Sequence, residues 1–164
     1  ATVRMLDEGL AHLAAVIEKD LGRSLLTLPG GGAAGGFGAG SVAFLGARLQ
    51  MGIEAVLDLT DFDRLAADAY LVITGEGRLD SQSLRGKVVV GVARRARALG
   101  VPVVALVGSS ETDIAAAYDA GVTAVFPINP APTTLSEALA HARKHLAFTA
   151  ENVLRFARCL EENR

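Results

Sequence analysis

Leu71-Val-Ile-Thr-Gly-Glu-Gly-Arg-Leu-Asp-Ser-Gln-Ser-Leu-Arg-Gly-Lys87 begins as an apolar run and turns within a few residues into a mixture of glycines and charges. A buried strand that delivers polar groups to its end reads in this way. The pattern predicts a strand at 70–74 followed by a charged loop at 75–86. Gly75, Gly77 and Gly86 would let backbone approach a ligand closely, while Glu76, Arg78, Asp80 and Lys87 supply the fixed charges that an anionic or metal-bound substrate requires. The plainer reading of the same residues is a solvated loop held by an internal salt bridge.

Downstream the rhythm is regular. Val89, Val92, Ala93, Ala96 and Leu99 recur at helical spacing and Gly100 ends the run. Val103–Val107 reads as a second, fully apolar strand, Ser109 or Ser110 as the cap of a helix at 111–120, and Thr123–Pro127 as a third strand. Thr134-Leu-Ser-Glu137 has capping-box spacing before a long closing helix with apolar positions from Ala138 to Leu160. Right-handed crossovers make such a β-α-β-α-β series parallel, with the segments at 75–86 and 108–112 on its carboxyl edge.

Upstream, Leu6, Leu10, Leu13, Ala14, Ile17 and Leu21 predict an amphipathic helix over 3–21, stopped by Gly22. After the short apolar run Leu25–Leu28, a glycine-rich turn from Pro29 to Gly40 opens a helix expected to reach about Gln50, and residues 53–67 read as helical but broken, with Asp61 and Asp63 as cap candidates. The fold class is therefore α/β: a Rossmann-like parallel sheet segment with a long C-terminal helix, preceded by a helical, glycine-rich part of a second α/β domain.

The chain has 164 residues and a formal charge of −2, so no global field points to nucleic acid or to a membrane surface. Trp is absent and aromatic residues make up 5%, too few for a base-stacking platform. Cys159 is the one cysteine, which excludes a disulfide framework and leaves thiol catalysis with little support. No apolar run reaches the roughly 18 residues of a membrane span. The chain reads as soluble and cytoplasmic, and its start at Ala1 in a helical pattern raises the expectation of a segment upstream.

Gly30-Gly-Gly-Ala-Ala-Gly35 formally matches the dinucleotide fingerprint, with Asp58 at the acidic position, but the strand expected before it is only about four residues long. A glycine-rich turn at a helix start nonetheless exposes N–H groups that an anion can use, and Gly30, Gly32, Gly35, Gly36 and Gly38 are the candidates. Close helix packing is the competing reason for the same glycines. Gly86-Lys87 lacks the remainder of a phosphate-binding P-loop, although Lys87 could still neutralise phosphate. His141 and His145 are four apart without an acid to complete a metalloprotease motif, and they read as a solvated helix face.

Gly-Ala-Ala-Gly-Gly-Phe-Gly at 32–38, the 71–83 motif, Gly86-Lys87 and Pro102-Val-Val-Ala-Leu-Val-Gly-Ser109 together resemble the class I glycerate kinases, over nearly the whole chain and in the right order. Gly31 and Gly32 replace the commoner Pro-Gly-Ala-Gly run, a small departure. The resemblance implies transfer of the γ-phosphoryl group of ATP to D-glycerate, giving 2-phosphoglycerate, with Mg2+. It also implies an absent amino-terminal half as partner: residues 1–63 would close an inserted domain, and residues 64–164 would complete a discontinuous Rossmann-like domain. Within it Asp80 would be the base or the Mg2+-associated carboxylate, with Glu76 as the second acid. Arg78 and Lys87 would pair with phosphate or with the glycerate carboxylate. Gly75, Gly77, Ser81, Gln82, Ser83 and Gly86 would line the substrate or nucleotide. Two other readings compete: a noncatalytic anion-binding or interaction module with the same fold, and a nicotinamide oxidoreductase. A sheet lacking half its domain would expose an edge, so association with another chain, a second copy included, is expected.

Overall fold

In the computed structural model, residues 2–80 and 88–162 are described, and they divide into two compact units at 50/51.

In the first unit, α1 (Thr2–Leu21) buries Ile17, and Gly22 ends it by adopting φ +65° while its N–H bonds the Glu18 carbonyl at 2.9 Å. Leu25–Leu28 is a turn, its ends joined by the Leu28 N–H to Leu25 carbonyl bond, and not the short strand the dinucleotide reading requires. α2 (Ala33–Leu45) opens with three left-handed residues, Ala34, Gly35 and Gly36 at φ 51°, 68° and 91°. Gly46 closes it in the left-handed conformation, so the helix stops at Leu45 instead of running to about Gln50. Ile17, Leu25 and Ala43 form the small core.

The second unit opens with α3 (Gly52–Leu59) and α4 (Phe62–Ala66), followed by β1 (Val72–Leu79), α5 (Val88–Ala98) and β2 (Val103–Ser110). α6 (Ala115–Asp119), β3 (Ala124–Pro127) and α7 (Leu135–Glu162) complete it. The sheet order is β1-β2-β3 and both pairings are parallel, as the β-α-β-α-β rhythm predicts. α5 and α6 cover one face through a core containing Val89, Ala93, Val103, Val107 and Ala117; α7 covers the other, where Val153 meets Val104 and Leu106. Side chains such as Val89, Val103 and Val107 are fully buried and each contributes about 1.5–3 kcal/mol by leaving water.

Two expectations change. β1 and β2 do not stop at residues 74 and 107 but continue to Leu79 and Ser110, because Glu76, Arg78 and Leu79 keep their register against Val107, Ser109 and Ser110. The segment expected as a charged loop is therefore mostly strand. Neither Ser109 nor Ser110 caps a helix at 111; α6 starts only at Ala115, with Ile114 at its N-cap and no side-chain cap. Arg95 on α5 ties α3 and α4 to the sheet layer: it bonds Asp63 through two nitrogens at 2.8 Å each, Asp58 at 2.7 Å and Glu54 at 3.2 Å. The Asp63 carboxylate is held below its usual range by the Arg95 hydrogen bond. Asp61 makes no cap bond and pairs with Arg64 instead.

A candidate active site at the carboxyl edge of the sheet

Ligands of parallel α/β sheets bind beyond the carboxyl ends of the strands, and the polar residues of this unit collect there. The edge is built by close approach of backbones. A Cβ at Gly75 would stand 2.2 Å from the Leu106 carbonyl oxygen, and one at Gly108 would stand 2.4 Å from that of Gly77. Glycine at 75 and 108 is thus what allows β1 and β2 to pair this far along.

Glu76, Arg78 and Asp80 alternate along β1 and its end. Glu76 shares its register position with Val107, which is buried on the α5 face. Its Oε1 is buried and has no hydrogen-bond partner among the described residues. An uncompensated carboxylate oxygen costs free energy, a cost that a hydroxyl or a cation placed there would offset. Arg78 Nη2 lies 3.1 Å from Glu111 Oε1, and its Nε lies 3.6 Å from Asp80 Oδ2. Asp80 is four-fifths covered whereas Arg78 is largely exposed, so these pairs position the carboxylate more than they stabilise the fold. The internal salt bridge of the plainer reading is present, on the same strand end as the Glu76 oxygen that has no partner among the described residues.

A cavity of about 1100 Å³ opens on this edge. Its lining includes Glu76, Ser109, Ser110, Asn129 and Thr133, with Leu106, Leu139 and Leu146 among the apolar residues. Ser81, Gln82, Ser83, Gly86 and Lys87, all expected at the site, lie outside the described residues. The candidate glycines of the first unit divide by cause. A Cβ at Gly36 would stand 2.6 Å from Leu10 Cδ2 and one at Gly38 2.6 Å from the Gly30 carbonyl oxygen, so packing accounts for both. Gly30 and Gly35, like Gly36, have positive φ, while Gly32 has no positive φ and a Cβ there would meet nothing within 4 Å. The adjoining cavity, about 170 Å³, is mainly apolar, and its charged lining residue is the acid Asp7.

Sequence reasoning missed three residues: Glu111, Asn129 and His145. Glu111 follows β2 directly, and its N–H bonds the Leu79 carbonyl at 3.0 Å. Asn129 lies two residues beyond β3 and joins the Gly108 carbonyl to His145. His145 is half-buried, so the solvated helix face expected for His141 and His145 holds for His141 alone. The polar Asn-Pro pair at the third strand end was the available signal for Asn129. Nothing local marks the other two.

The model of the glycerate kinase family matches residues 1–158. The chain belongs to the glycerate kinase family. It is 46% identical over 153 residues to a glycerate kinase of Halalkalibacterium halodurans and 42% identical over 153 residues to glycerate 2-kinase of Escherichia coli K12; each match covers 93% of this chain and 40% of the relative. Among solved structures, that of a protein assigned as glycerate kinase 2 from Salmonella typhimurium LT2 shares 42% identity at a TM-score of 0.69, covering 93% of this chain and 38% of that one. The chain thus spans about two fifths of the length of these glycerate kinases. The nicotinamide reading falls with this assignment, and the fold explains why: no strand leads into the glycine turn, and Asp58 sits on α3 bonded to Arg95. No helix among the described residues is long and apolar enough to cross a membrane.

Proposed function

We propose that residues 1–164 form the carboxyl-terminal part of an ATP-dependent kinase that phosphorylates D-glycerate to 2-phosphoglycerate, working in the cytoplasm. The observation that carries the proposal is the buried Glu76 Oε1, without a partner among the described residues, near the Arg78–Asp80 pair at the carboxyl edge of a glycerate kinase family sheet. The 2-phospho product follows the name of the E. coli relative. In the whole protein, residues 1–63 would close an inserted domain, with α3 packed onto α5 through Arg95, and residues 64–164 would complete the Rossmann-like one. The remaining polypeptide would supply the opposite wall of the cleft.

Phosphoryl transfer requires an aligned hydroxyl, a group to take or orient its proton, and positive charge near the transferring oxygens. Asp80, held by Arg78, is the proposed base, and Glu76 orients the acceptor hydroxyl through its free oxygen. Arg78 and Lys87 would pair with the phosphate or the glycerate carboxylate, and Gly75, Gly77, Ser81, Gln82, Ser83 and Gly86 would line the same ligands. The N–H groups around Gly30, Gly32 and Gly35 would form a second anion-facing element, whereas the Gly36 N–H is bonded to the Gly32 carbonyl and Gly38 is required by packing. Among the described residues no group of three His, Cys, Asp or Glu could enclose a metal. Mg2+ bound with a nucleotide needs only one or two carboxylates besides phosphate oxygens, and Asp80 and Glu76 meet that requirement. When bound there it would neutralise charge developing on the phosphate oxygens.

Asp80→Asn in the whole protein should reduce kcat by about 100-fold or more, with an unchanged circular dichroism spectrum and Tm. Near-normal turnover in that variant would remove Asp80 from the catalytic role.

A further inference from the structure

Asn129 and His145 belong to neither the glycine-rich turn nor the charged end of β1, yet their contacts can be assigned atom by atom. Asn129 Nδ2 donates to the Gly108 carbonyl oxygen at 2.8 Å, and its Oδ1 lies 3.3 Å from His145 Nδ1. A carbonyl oxygen only accepts, so the first bond fixes which way the amide faces. Oδ1 in turn only accepts, so the second contact requires a proton on His145 Nδ1. The imidazole carries that proton both in this neutral tautomer and when charged, which makes the contact a brace and not a switch.

The brace ends on the residue that sets the spacing of the site. Gly108 packs so closely on Gly77 that a Cβ there would stand 2.4 Å from the Gly77 carbonyl oxygen, and Gly77 separates Glu76 from Arg78. We infer that Asn129 and His145 are positioning residues: α7, through His145 and Asn129, holds the Gly108 carbonyl, and Gly108 holds the stretch of β1 that carries Glu76 and Arg78. The inference rests on the proposed kinase reading for its kinetic readout but not for its geometry.

Three variants of the whole protein separate this role from its competitors. Asn129→Ala removes the bridge. His145→Gln moves the remaining donor to the Nε2 position, whereas His145→Asn keeps one at the Nδ1 position. The brace predicts a fall in kcat of about 10- to 100-fold for Asn129→Ala and His145→Gln, with KM within about twofold of wild type, and near-normal kcat for His145→Asn. It also predicts the Nδ1–H tautomer for His145 of the wild type by 15N NMR at neutral pH, lost in Asn129→Ala. Wild-type kcat in Asn129→Ala and His145→Gln would overturn the inference. So would equal losses in His145→Asn and His145→Gln, a kcat loss matched by a collapse of Tm, or the Nε2–H tautomer in the wild type. A wild type that does not phosphorylate glycerate would sink the kinase reading instead, and the tautomer would then decide the brace by itself.

Discussion

At the residue scale, glycines 75 and 77 stand two apart on the same strand and should respond unequally to alanine. A Cβ at Gly75 meets the Leu106 carbonyl at 2.2 Å, backbone that yields only if the strands separate, while one at Gly77 meets nothing within 4 Å. Gly75→Ala should therefore lower the urea midpoint by the equivalent of about 1–3 kcal/mol, and Gly77→Ala should leave it near wild type. Equal midpoints for the two variants would contradict the close pairing of β1 and β2. The same scale shows what the sequence discloses of the site. Glu76, Arg78 and Asp80 declare themselves as charges ending an apolar run, a local property. Glu111 and His145 acquire their roles from partners 33 and 16 residues away, and no spacing rule brings those together.

At the element scale, the capping box at Thr134–Glu137 was legible because both halves lie within three residues of each other. The structure forms it: the Glu137 N–H bonds Thr134 Oγ1 at 3.3 Å, and the Thr134 N–H bonds Glu137 Oε2 at 3.1 Å. The Thr134 hydroxyl foremost, then the Thr134 N–H and the Thr133 hydroxyl, lower the Glu137 pKa from its ordinary 4.5. A carboxylate with a lowered folded pKa contributes stability that is complete above 4.5 and disappears as pH falls through the folded value. The difference in Tm between wild type and Glu137→Gln should thus be constant near neutrality and shrink as pH falls below 4.5. A difference that does not vary with pH would show that the cap is not formed in solution. The ends of β1, β2 and α6 were less legible. Glycines and charges at 75–78 carry loop chemistry, and only pairing with β2 makes them strand; Ser109 and Ser110 carry cap chemistry, and the same pairing uses them in the ladder.

At the scale of the whole molecule, the parallel sheet with helices on both faces followed from the alternation of apolar runs and helical periods, a pattern that spans the chain and tolerates errors at any one boundary. In each unit, apolar side chains remain uncovered: Val3, Met5 and Leu6 on α1, and Leu135, Leu139, Phe148 and Phe156 on α7. Such surfaces match a chain that spans two fifths of its relatives, and they support the proposal that the active cleft has a second wall. A coupled assay of ADP release with D-glycerate as acceptor, run on residues 1–164 and on the whole protein side by side, tests this account most directly. It predicts ADP release by the whole protein that depends on D-glycerate and matches the 2-phosphoglycerate formed, with little or none from residues 1–164. A whole protein that releases no ADP in response to D-glycerate would contradict it.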